Sequence, residues 1–129
     1  MFAKWLIRLT ALIFFVYGVL FTVFPLHMLF IVADGAVSSS SGWIDIRSTY
    51  GGVSMALGWL LYQLSRQSST VLLGLKSVFA IMTLMALSRV VGIILDGSPN
   101  WVMYIYLVLE VVVASISGYV LAKGSFNKP

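Results

Sequence analysis

The sequence predicts an all-α integral membrane protein: a four-helix bundle with a short interfacial helix between the first two spans. Hydrophobic residues make up 60% of the 129 residues and charged residues only 9%, and the mean hydropathy is +1.03. Soluble domains carry about 25% charged residues. A single transmembrane domain over residues 1–129 is therefore expected, and neither a soluble enzyme nor a nucleic-acid-binding protein is expected.

A bilayer core of about 30 Å needs about 20 apolar helical residues, and four stretches meet this length. The predicted spans are residues 5–24, 45–64, 71–95 and 99–121. The first stops at Pro25, which lacks a backbone N–H, and is too long for the apolar region of a signal peptide. Gly97 suits the left-handed residue after the third span. Ser98 and Pro99 suit the N-cap and first helical position of the fourth.

Residues 25–43 are too short to cross a bilayer and change in character. The apolar run around His27 predicts an interfacial or re-entrant helix. The serine run Ser38–Ser41 then predicts a flexible link to the second span. His27 is the one histidine, and cysteine is absent. We therefore expect no cofactor and no metal site, because neither haem nor metal ligands recur at a suitable spacing.

The basic residues favour one end of the predicted bundle. With the N-terminus inside, the inner side holds Lys4, Arg8, Arg66, Lys76, Lys123 and Lys128. The outer side holds Arg47 and Arg89, and all four acidic residues fall in the outer half. By the positive-inside rule, both termini are expected in the cytoplasm.

Two ionisable residues lie deep inside predicted spans. Glu110 follows Trp101 by nine residues and Arg89 precedes Asp96 by seven. At 1.5 Å per residue these are depths of about 13 Å and about 10 Å from the same side. A lone charge at such depth costs about 3 kcal/mol, so we expect Arg89 and Glu110 to pair.

Helical spacing predicts that polar groups of three spans converge in the outer half. In the fourth span, small residues recur every four positions with Glu110, which indicates a helix contact. In the third, Gly92 and Asp96 share a face with Arg89. In the second, small and polar side chains share a face: Arg47, Gly51, Ser54 and Gly58, with Tyr50 beside them. The expected result is a polar cleft that binds a ligand through Arg47, Tyr50, Arg89, Asp96 and Glu110, with Asp96 paired to Arg47 at its mouth.

The pattern resembles a family of small bacterial four-span membrane proteins of unknown function, similar to the DoxX-like group. The residues that carry the resemblance are Asp45–Gly52, Arg89–Gly92, Asp96–Pro99 and Glu110. The resemblance covers essentially the whole chain. It implies a four-helix bundle in the bacterial inner membrane, and it implies no reaction.

These observations favour a non-enzymatic protein whose cleft binds the head group of a membrane lipid, quinone or other amphiphile, with arginine gripping the head group. The alternative is an accessory subunit of a larger membrane complex, in which the Arg89–Glu110 pair only fixes helix register. A membrane-protein partner or a homodimer fits either hypothesis. A transporter or a lipid-modifying enzyme ranks below both, because no polar path crosses the inner half and no nucleophile stands out.

Overall fold

The computed structural model describes residues 1–124, and the regular structure of that range is all-helical. The helices are α1 Phe2–Val23, α2 Pro25–Ala33, α3 Ser40–Ile46, α4 Val53–Arg66, α5 Val71–Asp96 and α6 Trp101–Lys123. Three of them, α1, α5 and α6, are long and apolar enough to cross a membrane. The prediction of an all-helical membrane protein is confirmed at this level.

The predicted second span is helical but not uniform. A π-helical segment, Arg47–Gly52, joins α3 to α4, and the residues at both of its junctions keep right-handed helical dihedrals. The chain is thus continuously helical from Ser40 to Arg66. Sequence periodicity alone does not reveal a π segment, because wider turns are rare and short. Two consecutive glycines at its end, Gly51 and Gly52, lower the preference for regular α-helix there.

The closest helix contact joins α1 to the α4 side of the fold. A Cβ atom on Gly18 would lie 2.6 Å from the Gly51 carbonyl oxygen, and one on Gly58 would lie 2.6 Å from that of Ala11. These backbones approach so closely only because the side chains are hydrogen atoms. The prediction that Gly51 and Gly58 face a polar cleft is therefore wrong, because both glycines pack against α1, and Ser54 between them is also buried.

The apolar core has two parts. At the end nearer the N-terminus, α1, α4 and α5 bury side chains such as Ile7, Leu61 and Leu75, joined by Val120 of α6. At the opposite end, Phe21 packs with Val32 of α2 and Ile46 of α3. A short helix, α2, follows α1 in the segment where the sequence predicts one.

Two predicted boundaries are corrected by capping. Asn100, not Ser98, caps α6: its side chain accepts a hydrogen bond from the Met103 N–H at 3.2 Å, so the helix begins at Trp101 rather than Pro99. The serine run is not a flexible link, because the Ser39 hydroxyl caps α3 and the following serines are helical. Both caps satisfy an N–H that the first helical turn leaves open.

Candidate functional site

The predicted pairing of Arg89 with Glu110 is confirmed. Arg89 Nη2 donates to Glu110 Oε1 at 2.6 Å, and Nε donates to Oε2 at 3.0 Å. The two side chains are 17% and 6% exposed. α5 and α6 run antiparallel, which brings the two residues to the same level. This is the one ion pair found within residues 1–124, and its bidentate geometry is the strongest that an arginine forms with a carboxylate.

Two residues of α6 hold the guanidinium from other directions. Arg89 Nη1 points to the Met103 sulfur at 2.8 Å. The Tyr106 ring lies beneath the guanidinium, with its centroid 5.2 Å from Cζ, which is a cation–π contact. Met103, Tyr106 and Glu110 recur at helical spacing, so one face of α6 fixes the position of Arg89.

The guanidinium keeps unused hydrogen-bonding capacity. It carries five N–H donors, and three of them have partners: two on Glu110 and one on the Met103 sulfur. Thioether sulfur is a weak acceptor. One N–H on each terminal nitrogen of Arg89 therefore has no acceptor among the described residues.

Two cavities meet at Arg89. The first, which we name the loop cavity, has a volume of about 290 Å³. It is lined by Arg89, Gly92, Ile93, Asp96, Gly97, Ser98, Pro99 and Met103. The second, the α5 groove, is an open depression on the surface of α5, lined by Leu84, Met85, Ser88 and Arg89. Leu84 is 64% exposed, so the groove opens on the outer surface of α5.

The loop cavity owes its shape to the turn between α5 and α6. Gly97 has φ +97° and ψ −154°, a combination that is essentially restricted to glycine; the glycine ends α5 as predicted, but its ψ differs from that of the expected left-handed helical residue. Gly92 leaves the wall open, since the nearest atom to an added Cβ would be Asp96 Oδ2 at 3.7 Å. The Asp96 carboxylate thus lies at the rim of the loop cavity.

The structure brings together only part of the predicted site. Arg89, Asp96 and Glu110 gather where α5 meets α6, whereas Arg47 and Tyr50 line neither cavity. Arg47 donates from Nη1 to the carbonyl of Thr22, at the end of α1. The predicted Arg47–Asp96 pair does not form, because the break before Pro25 leaves a carbonyl near Arg47 that the guanidinium satisfies.

Tyr50 reaches the site only indirectly. Its ring stacks on Phe21 with centroids 5.2 Å apart, Phe21 contacts Tyr17 at 4.8 Å, and Tyr17 meets Tyr106 edge-on at 6.4 Å. The rings form a continuous packed row from the π segment to the underside of Arg89. Tyr50 therefore lines neither cavity and is connected to Arg89 only through the packed rings.

The prediction left Met103 and Tyr106 out of the site. Their positions, seven and four residues before Glu110, place them on its helix face, so the spacing could have identified them. No group of three metal-ligating side chains occurs in the range 1–124.

The fold and site define a class: an all-helical membrane protein with a partly buried arginine–carboxylate pair between two antiparallel helices. Residues 2–121 match the model of a domain of unknown function, DUF4345. The chain belongs to this family, which agrees with the predicted membership of an uncharacterised group. Comparisons with curated proteins and with solved structures find no match.

Proposed function

We propose that this protein is a non-enzymatic binder of a lipid-like or quinone-like amphiphile, held at Arg89 between α5 and α6. The observation that carries the proposal is a partly buried guanidinium with two free N–H donors, where the loop cavity meets the open α5 groove. An unsatisfied donor in a hydrocarbon environment costs several kcal/mol. An acceptor on a bound molecule would remove that cost.

The shape of the two cavities supports an amphiphile. The loop cavity offers polar contacts from Asp96, Ser98 and Arg89, which suit a head group. The α5 groove is lined by Leu84 and Met85, which suit a hydrocarbon tail. Methionine side chains adapt to ligands of variable shape. Arg89 lies at the junction, so it would hold the polar end of the molecule.

A binding role is favoured over a catalytic one by the position of Glu110. A general base must reach the proton that it abstracts. Glu110 is 5% exposed and lines neither cavity, and both of its oxygens accept from Arg89. Its role in the proposal is to hold and orient the guanidinium.

The proposal includes the finer architecture. We infer that the helix from Ser40 to Arg66 is the fourth span, and that the fold is a four-helix bundle similar to the DoxX-like group. Its length supports this, since 27 residues would extend about 40 Å. The bacterial inner membrane with both termini cytoplasmic is the proposed location, supported by Lys4, Arg8 and Arg66 at the end opposite Asp96.

Native mass spectrometry of protein released from nanodiscs of bacterial polar lipid tests the binding function. The wild type is compared with the double variant Arg89→Met/Glu110→Met, which removes the pair without changing the net charge. Lys76→Met is the matched control, because Lys76 is an exposed cation on α5 that lines neither cavity.

A defined additional mass on the wild type and on Lys76→Met, absent from the folded double variant, is the expected result. A bare protein mass for all three would contradict ligand binding. It would favour the alternative of an accessory subunit, paired with another membrane protein or a second copy, in which the ion pair only fixes helix register.

A further inference from the structure

We propose that the site selects a neutral amphiphile whose head group presents a carbonyl oxygen, and that it discriminates against anionic phosphate head groups. This inference rests on the proposed function and names its ligand class. It follows from three features of the site: its net charge, its free donors and the arrangement of the two cavities.

The charge at the site disfavours an anion. Glu110 neutralises Arg89 through two hydrogen bonds. Asp96 then adds a carboxylate at the rim of the loop cavity, and Arg89 is the one cation that lines it. A phosphate in the loop cavity would therefore lie near Arg89, whose charge Glu110 already neutralises, and near the negative charge of Asp96. Asp96 is exposed at the end of α5, so solvent screens its charge and its repulsion of a phosphate is modest.

The free donors favour a carbonyl. One N–H on each terminal nitrogen of Arg89 is open, and a carbonyl oxygen has two lone pairs that accept two such bonds. The Met103 sulfur and the Tyr106 ring hold the guanidinium in place. The donors are thus fixed before a ligand arrives, which lowers the entropic cost of binding.

The cavities place the two ends of the molecule. A head group in the loop cavity has its carbonyl at Arg89, and its hydrocarbon chain then follows the α5 groove past Ser88, Met85 and Leu84. Leu84 and Leu87 are 64% and 58% exposed, so this side of α5 faces the acyl chains of the bilayer. The ligand therefore enters sideways from the membrane.

The test is a binding titration of the purified protein in dodecylmaltoside, followed by native mass spectrometry. Three probes are used: decyl-benzoquinone, dioctanoylglycerol and dioctanoyl phosphatidylglycerol. The first two are neutral carbonyl compounds from two different sources, and the third is anionic. Asp96→Asn and Arg89→Met/Glu110→Met are titrated alongside the wild type.

We expect one or both neutral probes to bind about tenfold tighter than the anionic probe, a difference of about 1.4 kcal/mol that we ascribe to the Asp96 carboxylate. Asp96→Asn should narrow that difference, and the double variant should abolish binding of the neutral probes. The neutral probe that binds shows whether the carbonyl belongs to a quinone or to an acylglycerol.

Two outcomes overturn the inference in different ways. Anionic probe binding at least as tightly as the neutral probes would refute the selectivity while leaving the proposed binding function intact. If no probe binds the wild type, the proposed function fails, and the inference fails with it.

Discussion

Breaking the Arg89–Glu110 pair one partner at a time should destabilise the fold far more than replacing both partners. Arg89→Met leaves a carboxylate at a position that is 6% exposed, and Glu110→Met leaves a guanidinium that is 17% exposed. Neither stranded charge has another ion-pair partner within residues 1–124. The double variant Arg89→Met/Glu110→Met leaves no unpaired charge, and methionine matches the unbranched aliphatic part of both side chains.

The geometry sets the magnitude. Two hydrogen bonds at 2.6 Å and 3.0 Å join fully charged groups, and each such bond contributes about 1.5–3 kcal/mol. The partial exposure of Arg89 reduces the contribution of these hydrogen bonds. In double-mutant cycles, hydrogen bonds between membrane helices contribute at most about 1.7 kcal/mol. Each single variant should lose about 3 kcal/mol, with a coupling energy of about 2 kcal/mol between the two positions.

The assay is unfolding in mixed dodecylmaltoside and dodecyl sulfate micelles, monitored by tryptophan fluorescence for the wild type, both single variants and the double variant. Lys76→Met serves as the control for replacing a cation on α5. A coupling energy below about 0.5 kcal/mol, within the error of additivity, would show that the two side chains do not interact as the structure places them.

Four further changes test other parts of the fold by the same unfolding measurement. Gly58→Val should lower the free energy of unfolding by about 1–3 kcal/mol, because its Cβ would lie 2.6 Å from a backbone oxygen of α1. Unchanged stability would refute the close contact between α1 and α4. Gly97→Ala should cost about 1–3 kcal/mol because φ is +97°, and a neutral result would contradict that turn. Asn100→Ala should lower the free energy of unfolding by about 1 kcal/mol because the cap of α6 is lost, whereas Ser98→Ala should have no effect. If Ser98→Ala were the destabilising variant instead, Ser98 would be the cap, as the sequence predicted. Arg47→Met should lower the free energy of unfolding by about 0.5–1.5 kcal/mol, the net contribution of one hydrogen bond, without affecting ligand binding; lost binding would return Arg47 to the site.

The sequence alone predicted the features that depend on the cost of burying a charge and on the length of an apolar helix. The level of Arg89 and Glu110 followed from a rise of 1.5 Å per residue and the cost of a lone charge in lipid. The bounds of α5 followed from its apolar length and from Gly97. These inferences depend on one helix or on two neighbouring helices, so they need no knowledge of the wider packing.

Features that depend on a third helix were not predictable in this way. The small face of Gly51 and Gly58 looked like the wall of a cleft, but α1 fills it. Arg47 was expected beside Asp96, but its Nη1 donates to the carbonyl of Thr22 and it lines neither cavity. Periodicity identifies a contact face and does not identify what contacts it. The π segment was also hidden, because its residues alone do not specify the wider turn.

The most direct test of a binding site between α5 and α6 is photo-crosslinking with a neutral carbonyl amphiphile that carries a diazirine beside its head group. The labelled peptides are mapped for the wild type, for Gly92→Leu, whose side chain would enter the loop cavity, and for Gly52→Leu, where an added Cβ meets open space. We expect labelling concentrated between Leu84 and Met103 in the wild type and in Gly52→Leu, and lost in Gly92→Leu. Labelling spread over the exposed faces of α1 and α6, and unchanged by Gly92→Leu, would contradict the site.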